Sequence, residues 1–207
     1  MQIGFKMAYH KIGFLFLAAG ASSRMRGCDK LLKKIDGVPL LQRTLNEALK
    51  LNFPVFVTVP ANDTERKVII SKTNAIAIEV QYPDLGMGHS IAQGFIEITK
   101  TAAFSSLAIC PSDLPGLKIQ SINKLVSYFL KRPEMICRPI KNGHSLPGHP
   151  VIFPKQFFQQ LKSIHGDRGA NNIIQKNRKS LNNYETIDES YFKDLDTPED
   201  FANWENN

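Results

Sequence analysis

Two cations and one carboxylate stand where phosphate chemistry would need them. Arg24 and Lys30 follow a run of small residues, Ala18, Ala19, Gly20, Ala21, Ser22 and Ser23, and Asp113 is held between Pro111 and Pro115. A side-chain-poor turn lets backbone N–H groups approach an anion closely. With an Arg and a Lys beside it, such a turn is a cradle for a polyphosphate. One carboxylate placed rigidly at a strand end is what magnesium on a phosphate substrate needs, with waters and phosphates completing its shell. Each feature also has a plainer reading. The turn is equally an ordinary strand-to-helix connection with a surface Arg and Lys, and Asp113 is equally a cap for the helix that follows.

Spacing excludes the commoner phosphate loops. Six residues separate Gly20 from Gly27 and Lys30 is followed by Leu31, which does not fit a P-loop. Position 22 is Ser, so neither the dinucleotide fingerprint nor the kinase glycine loop fits.

The elements that must position these residues alternate along the chain. Strands are expected at 12–17, 54–59, 75–80, 106–110, 135–138 and 150–153. Helices are expected at 39–51, from an Asn62 cap to about Lys72, at 88–100, 117–130, 154–164 and 170–176, with a short terminal helix from Pro198. Ile12–Leu17 is almost unbroken apolar, the pattern of a strand covered on both faces. This alternation predicts a mostly parallel three-layer α/β/α sheet of Rossmann-like type, read as one domain over residues 1–207 with residues 1–10 a frayed leader and Met7 a possible alternative start. Ligands bind such sheets at the carboxyl ends of the strands. The loops of interest are therefore 18–30, 60–63, 83–90, 111–116 and 194–198.

The 207 residues are 43% hydrophobic, enough for a full core. The net charge of +7 favours an anionic ligand. Basic residues do not interleave with aromatics, so no nucleic-acid surface is expected. No apolar run approaches the roughly 18 residues of a membrane span, and no signal cleavage site follows Lys6 and Lys11, so a cytoplasmic protein is expected. Cys28, Cys110 and Cys137 are widely separated, which suggests neither zinc nor a disulfide framework. Cys28 is read either as a tolerated small residue or as an oxidation sensor.

The segment Leu-Ala-Ala-Gly-x-Ser-x-Arg-Met, followed by Lys30-Leu31-Leu32, resembles the signature loop of the MobA-like nucleotidyltransferases. These join a nucleoside triphosphate to a phosphorylated acceptor and release pyrophosphate. The resemblance implies a nucleotide-diphospho-sugar transferase-like fold. It makes Asp113 a magnesium ligand and Asp196, in Asp196-Thr197-Pro198-Glu199-Asp200, a second one, with Asp194 a lower-ranked rival. By residue type alone the latter stretch is also a plain helix start capped by Thr197. The resemblance puts Gly86-Met87-Gly88-His89-Ser90 beside the nucleoside, with Ser90 as donor and His89 uninvolved. Gly148-His149-Pro150-Val151 and Gly166-Asp167-Arg168-Gly169-Ala170 are similar to elements of the molybdenum cofactor cytidylyltransferase branch. Ala19, where guanylyl relatives carry Gly, points the same way. Arg26 intervenes before Gly27, a departure that leaves the loop's path open. By chemistry alone His149 is either an acceptor contact or structural, and Arg168 either an acceptor-phosphate contact or an exposed cation.

The resulting expectation is a magnesium-dependent cytidylyltransferase in which an acceptor phosphate, that of the molybdopterin cofactor, attacks the α-phosphorus of CTP. The loop amides and Arg24 would hold the β- and γ-phosphates, Lys30 the α-phosphate, and Asp113 and Asp196 the metal. The ionised nucleophile needs no general base. Three alternatives stand beside it: a sugar or polyol phosphate acceptor, a guanylyltransferase, and a non-enzymatic cofactor chaperone that serves a client molybdoenzyme.

Overall fold

The computed structural model describes residues 11–144 and 146–205; the expected leader at 1–10 lies outside them. Seven strands form one sheet in the order β5-β4-β1-β6-β8-β7-β9. They are β1 (Ile12–Leu17), β4 (Val55–Pro60), β5 (Ile76–Val80), β6 (Ser106–Pro111), β7 (Ile136–Lys141), β8 (Val151–Pro154) and β9 (Leu181–Thr186). β8 runs antiparallel to both of its neighbours, and the other pairings are parallel. A separate two-stranded piece joins β2 (Lys34–Ile35) to β3 (Val38–Pro39) through Asp36 (φ 52°) and Gly37 (φ 78°). Both turn residues are left-handed, as a two-residue hairpin turn demands.

Helices cover both faces. Strand alternation sends Phe14 and Phe16 into one layer, with Leu41 and Leu45 of α1 (Leu40–Leu49), Ile70 of α2 (Thr64–Ser71), Leu125 of α4 (Ile119–Phe129) and Phe201 of α7 (Pro198–Glu205). Leu15 enters the other layer, with Phe95 of α3 (Met87–Thr101), Leu161 of α5 (Phe158–Ser163) and Ile173 of α6 (Asn171–Lys176). This is the three-layer, mostly parallel α/β/α arrangement that the alternation predicts. Burial of both faces is why β1 reads as a continuous apolar run.

Three details differ from the expectation. α2 is capped by Asp63, whose carboxylate accepts from the N–H of Arg66 at 2.9 Å, rather than by Asn62. The stretch after Pro154 starts as a 3₁₀ turn, Lys155–Phe157, before α5. β9 carries no strand signal because Leu-Asn-Asn-Tyr-Glu-Thr is largely polar, which an edge strand with one neighbour tolerates. Among the described residues no helix is long and apolar enough to cross a membrane.

Candidate active site

β1 ends at Leu17, and the chain turns over the carboxyl edge of the sheet. The N–H of Ala18 still bonds the Thr58 carbonyl at 3.0 Å. Among the described residues the N–H groups of Ala19, Gly20 and Ala21 have no partner in the protein, and Gly20 and Ala21 are exposed. Ser22 takes the left-handed conformation (φ 51°) and opens a single 3₁₀ turn, Ser23–Met25. Met25 is buried and pins that turn to the core. Arg26 (φ 52°) and Gly27 (φ 93°) then reverse the chain, and the N–H of Cys28 reaches the Met25 carbonyl at 3.2 Å. The additional residue Arg26 is thus absorbed by a left-handed position, and its side chain pairs with Glu199 at 2.9 Å. Cys28 is exposed, while Cys110 and Cys137 are buried. Burial pushes the Cys137 thiol up to about 12 and leaves it inert.

Two residues absent from the sequence-based site hold this loop. The Asp29 carboxylate accepts from the N–H of Leu31 at 2.9 Å and the hydroxyl of Ser22 at 3.2 Å. Arg66, buried at 4% exposure in α2, donates to Asp29 at 2.7 Å and to the carbonyls of Ala18 and Gly20 at 2.7 and 2.9 Å. By occupying the carbonyls it braces the loop from below. No local sequence pattern distinguishes Arg66 from a surface residue of a polar helix.

Lys30 enters from the loop's far end. Its Nζ lies 2.5 Å from Asp113 and 2.6 Å from Asp196. Burial works to lower its pKa, but the Coulombic pull of Asp113 and the bonds to both carboxylates outweigh it, so the ammonium is held more firmly protonated than usual. Arg24, largely exposed, bonds the other oxygen of Asp196. Asp196 is carried by a well-built helix start. Thr197 accepts from the N–H of Asp200 at 3.2 Å, and Asp200 accepts from the N–H groups of Asp196 and Thr197 at 3.0 and 2.8 Å. Both readings of this stretch therefore coexist, cap and carboxylate. The N–H of Leu195 bonds the Asp113 carbonyl at 3.1 Å, which ties the terminal segment to the end of β6.

Asp113, Asp194 and Asp196 can each aim one oxygen at a common point, all within 4.8 Å of one another. Desolvation, limited because solvent reaches Asp194, and then repulsion from Asp113 and Asp196 raise the Asp194 pKa. Asp113 Oδ1 is buried with no hydrogen-bond partner. An orphaned carboxylate oxygen among three hard donors fits a divalent cation of the magnesium or manganese class. The geometry thus places Asp194, the lower-ranked rival, in the same cluster as Asp196.

The remaining motif residues lie on other segments of the chain. The 86–90 turn and the 165–169 loop are fused: the N–H of Gly88 bonds the Gly166 carbonyl at 2.7 Å. A Cβ on Gly86 (φ 98°) would lie 2.5 Å from Asp167, and one on Gly88 2.7 Å from the backbone of His165. Only glycine allows that approach. Ser90 is buried one turn into α3, Arg168 is exposed, and His89 faces away to bond the Gln81 carbonyl. The backbone N–H of His149 bonds the Tyr191 carbonyl at 2.9 Å. The residue is exposed. Desolvation there lowers its pKa, against the opposing pull of Asp113 and a bond to the Ile109 carbonyl, so the imidazole is neutral near pH 7. A cleft of about 600 Å³ beside α1, lined by Arg43, Glu47 and Lys118, contains none of these groups. Its Arg43 and Glu47 are already engaged by Asp36 and Lys50.

The arrangement brings a basic loop with open amides to a carboxylate cluster, the equipment for moving a nucleotidyl group. The chain is 26% identical over 196 residues to the purine catabolism protein PucB of Bacillus subtilis, covering 90% of this chain and 92% of that one. It is 25% identical over 151 residues to a probable molybdenum cofactor guanylyltransferase of Pyrococcus horikoshii, covering 72% and 71%. In fold it resembles a protein of Mycobacterium tuberculosis H37Rv solved with manganese (TM-score 0.73, 18% identity, 93% and 97% covered). It also resembles a cytidylyltransferase of Leptospira borgpetersenii (TM-score 0.73, 18% identity, 95% and 86% covered). The MobA-like NTP transferase domain matches residues 14–181, from the middle of β1 to the start of β9, and this chain belongs to that family of nucleotidyltransferases.

Proposed function

We propose that the protein is a CTP-dependent cytidylyltransferase whose acceptor is the phosphate of the molybdopterin cofactor, working as one domain in the cytoplasm. The observation that carries the reading is Lys30, held between Asp113 and Asp196 beside three unpartnered loop amides. In this reading Ala19, Gly20 and Ala21 donate N–H groups to the β- and γ-phosphates and Arg24 neutralises their charge. Lys30 leaves its carboxylates for the α-phosphate, where charge builds during reaction. The acceptor phosphate forms its bond to the α-phosphorus in line as the bond to the β-phosphate oxygen breaks, and pyrophosphate departs with that electron pair. The nucleophile is already ionised, so no side chain has to remove a proton. Asp113, Asp194 and Asp196 would hold magnesium, which supplies charge neutralisation to the phosphates. Ser90 stands at the nucleoside side, and Arg168 and His149 at the acceptor side.

Support for cytidine comes from Ala19 and the Gly148-His149-Pro150 element; the Pyrococcus relative's description favours guanosine as a second reading. Pyrophosphate release from CTP, GTP, ATP and UTP, with magnesium and a panel of phosphorylated acceptors including molybdopterin, separates the two. CTP is expected to exceed GTP in kcat/KM by about tenfold or more, since a pocket built for one base leaves polar groups unpaired with another. GTP equal or preferred moves the chain to guanylyl transfer. A sugar phosphate outperforming molybdopterin changes the acceptor. No release with any pair, alongside tight cofactor binding, makes it a chaperone.

A further inference from the structure

Cations without carboxylate partners gather at the amino edge of the sheet, opposite the carboxylate cluster. Three chain segments meet at one corner of it. The parallel register pairs Ile136 with Leu181, so the turns that lead into β7 and β9 stand side by side. The first carries Lys131 and Arg132, the second Lys176, Arg178 and Lys179. β8 runs the other way and ends beside them. The side-chain amide of Gln156 donates to the Glu134 carbonyl at 2.8 Å, which brings Lys155 to the same corner. These cations are all exposed. Arg132 approaches Glu134 at 3.8 Å, and the others form no ion pair among the described residues.

The basic edge continues across the molecule. The Lys11 carbonyl accepts from the N–H of Ser105 at 2.9 Å, and the Ser105 carbonyl from the N–H of Lys155 at 2.9 Å, so Lys11 and Lys155 flank one residue. Lys72 follows the last turn of α2 and precedes β5 at the far side of the sheet. Both are exposed and meet no carboxylate among the described residues. Glu47 and Glu97, near the ends of α1 and α3, are taken by Lys50 and Lys100. From Lys72 to Lys179 the edge spans seven strand ends, about 30 Å at the usual strand spacing. Its cations also span both helix layers, since Lys131 follows α4 in one and Lys176 ends α6 in the other. Helix C-termini favour a cation. Lys11, Lys155, Arg178 and Lys179 lie outside the α-helices, so dipole compensation does not account for the gathering.

A surface that is basic over an area, rather than along a line, fits a planar polyanion. Protein interfaces centre on apolar side chains and are poor in lysine. Here lysine predominates, and Ile76 apart no large exposed apolar side chain lies on the edge among the described residues. The same residues offer no exposed ring there on which a base of a single strand could stack. Lysines beside an anionic bilayer are drawn to its headgroups without entering the hydrocarbon.

We propose that the amino edge docks on the anionic face of a lipid bilayer and leaves the carboxyl-edge site turned away from the membrane. The proposal goes beyond nucleotidyl transfer and does not depend on which nucleotide or acceptor is used. The full chain is sedimented with vesicles of phosphatidylcholine containing about one-third phosphatidylglycerol, and with phosphatidylcholine alone. Binding is expected to the first and not the second at about 0.1 M salt, and to disappear at about 0.5 M, where surface charges are screened. Lys155→Glu with Lys179→Glu should lower vesicle partitioning about thirtyfold or more. Lys34→Glu with Lys124→Glu reverses the same charge at exposed cations off that edge and should change it less than about threefold. All four positions are exposed, and urea midpoints check that both proteins fold. No sedimentation with the anionic vesicles, or equal losses in the two double variants, would overturn the docking edge. Tighter binding to duplex DNA or to an acidic polypeptide than to the vesicles, at equal anion concentration, would overturn it too and give the edge to that partner.

Discussion

Arg66 reaches from α2 to the Asp29 carboxylate at 2.7 Å and, with its other nitrogen, to the carbonyls of Ala18 and Gly20. One βα unit thereby sets the shape of the loop that another presents to its ligand. Arg66 is 4% exposed, so its charge is compensated by this loop and by Asp63 at 3.2 Å. Arg66→Met is expected to cost about 2–3 kcal/mol in urea unfolding, below the usual cost of breaking a buried pair because Asp29 is partly exposed. KM for CTP should rise with it, and Arg66→Lys should recover only part of both. An unchanged urea midpoint would contradict the bracing role.

Asp113 carries a buried carboxylate oxygen with no protein partner. Asp113→Asn is expected to weaken Mn²⁺ binding about tenfold or more, read by electron paramagnetic resonance of free Mn²⁺, and to lower turnover at least about a hundredfold. Activity within about threefold of the unsubstituted protein would remove the metal assignment.

Lys30 and Arg24 share Asp196 but differ in burial, with side chains 16% and 70% exposed. Lys30→Met should lower kcat more than it raises KM for CTP, because its phosphate contact strengthens in the transition state. Arg24→Ala should chiefly raise KM. In the absence of nucleotide, Lys30→Met should also bind Mn²⁺ more tightly, since the ammonium no longer competes for the oxygens of Asp113 and Asp196. Steady-state kinetics and Mn²⁺ titration check both. A pure KM effect in the two variants alike would make both residues simple phosphate anchors.

Asp188 fastens the terminal segment to α4, accepting from the hydroxyl of Ser121 at 2.7 Å and the N–H of Ser190 at 3.1 Å. Burial acts to raise its pKa, but the hydrogen bonds from Ser190 and Ser121 prevail and hold it below the ordinary value of 3.8. The folded protein therefore binds this proton less readily than the unfolded chain. Its contribution to stability is present above the unfolded pKa and disappears as pH falls through the folded value. Asp188→Ala should cost about 1–2 kcal/mol at pH 7, with the gap closing as pH falls below the ordinary carboxylate value. Urea midpoints of the two proteins across that range measure it. A constant gap would assign the loss to packing.

What the sequence determined by itself is local or periodic. The apolar run of Ile12–Leu17, the helical spacing of α1, α3 and α4, and the small-residue turn followed by Arg24 and Lys30 are all legible because neighbours in the chain set backbone conformation and burial. The cap at Thr197 is legible for the same reason. What only the tertiary structure decided is contact across the chain. Lys30 meets Asp113 and Asp196 over separations of 83 and 166 residues, and Asp194 joins them because Leu195 is tied to the backbone of Asp113. Arg66 is a polar helix residue until the loop folds over it, and β9 becomes a strand because β7 offers it a free edge. Such pairings depend on sheet order and on which charges remain uncompensated after packing, and neither is written in residue spacing.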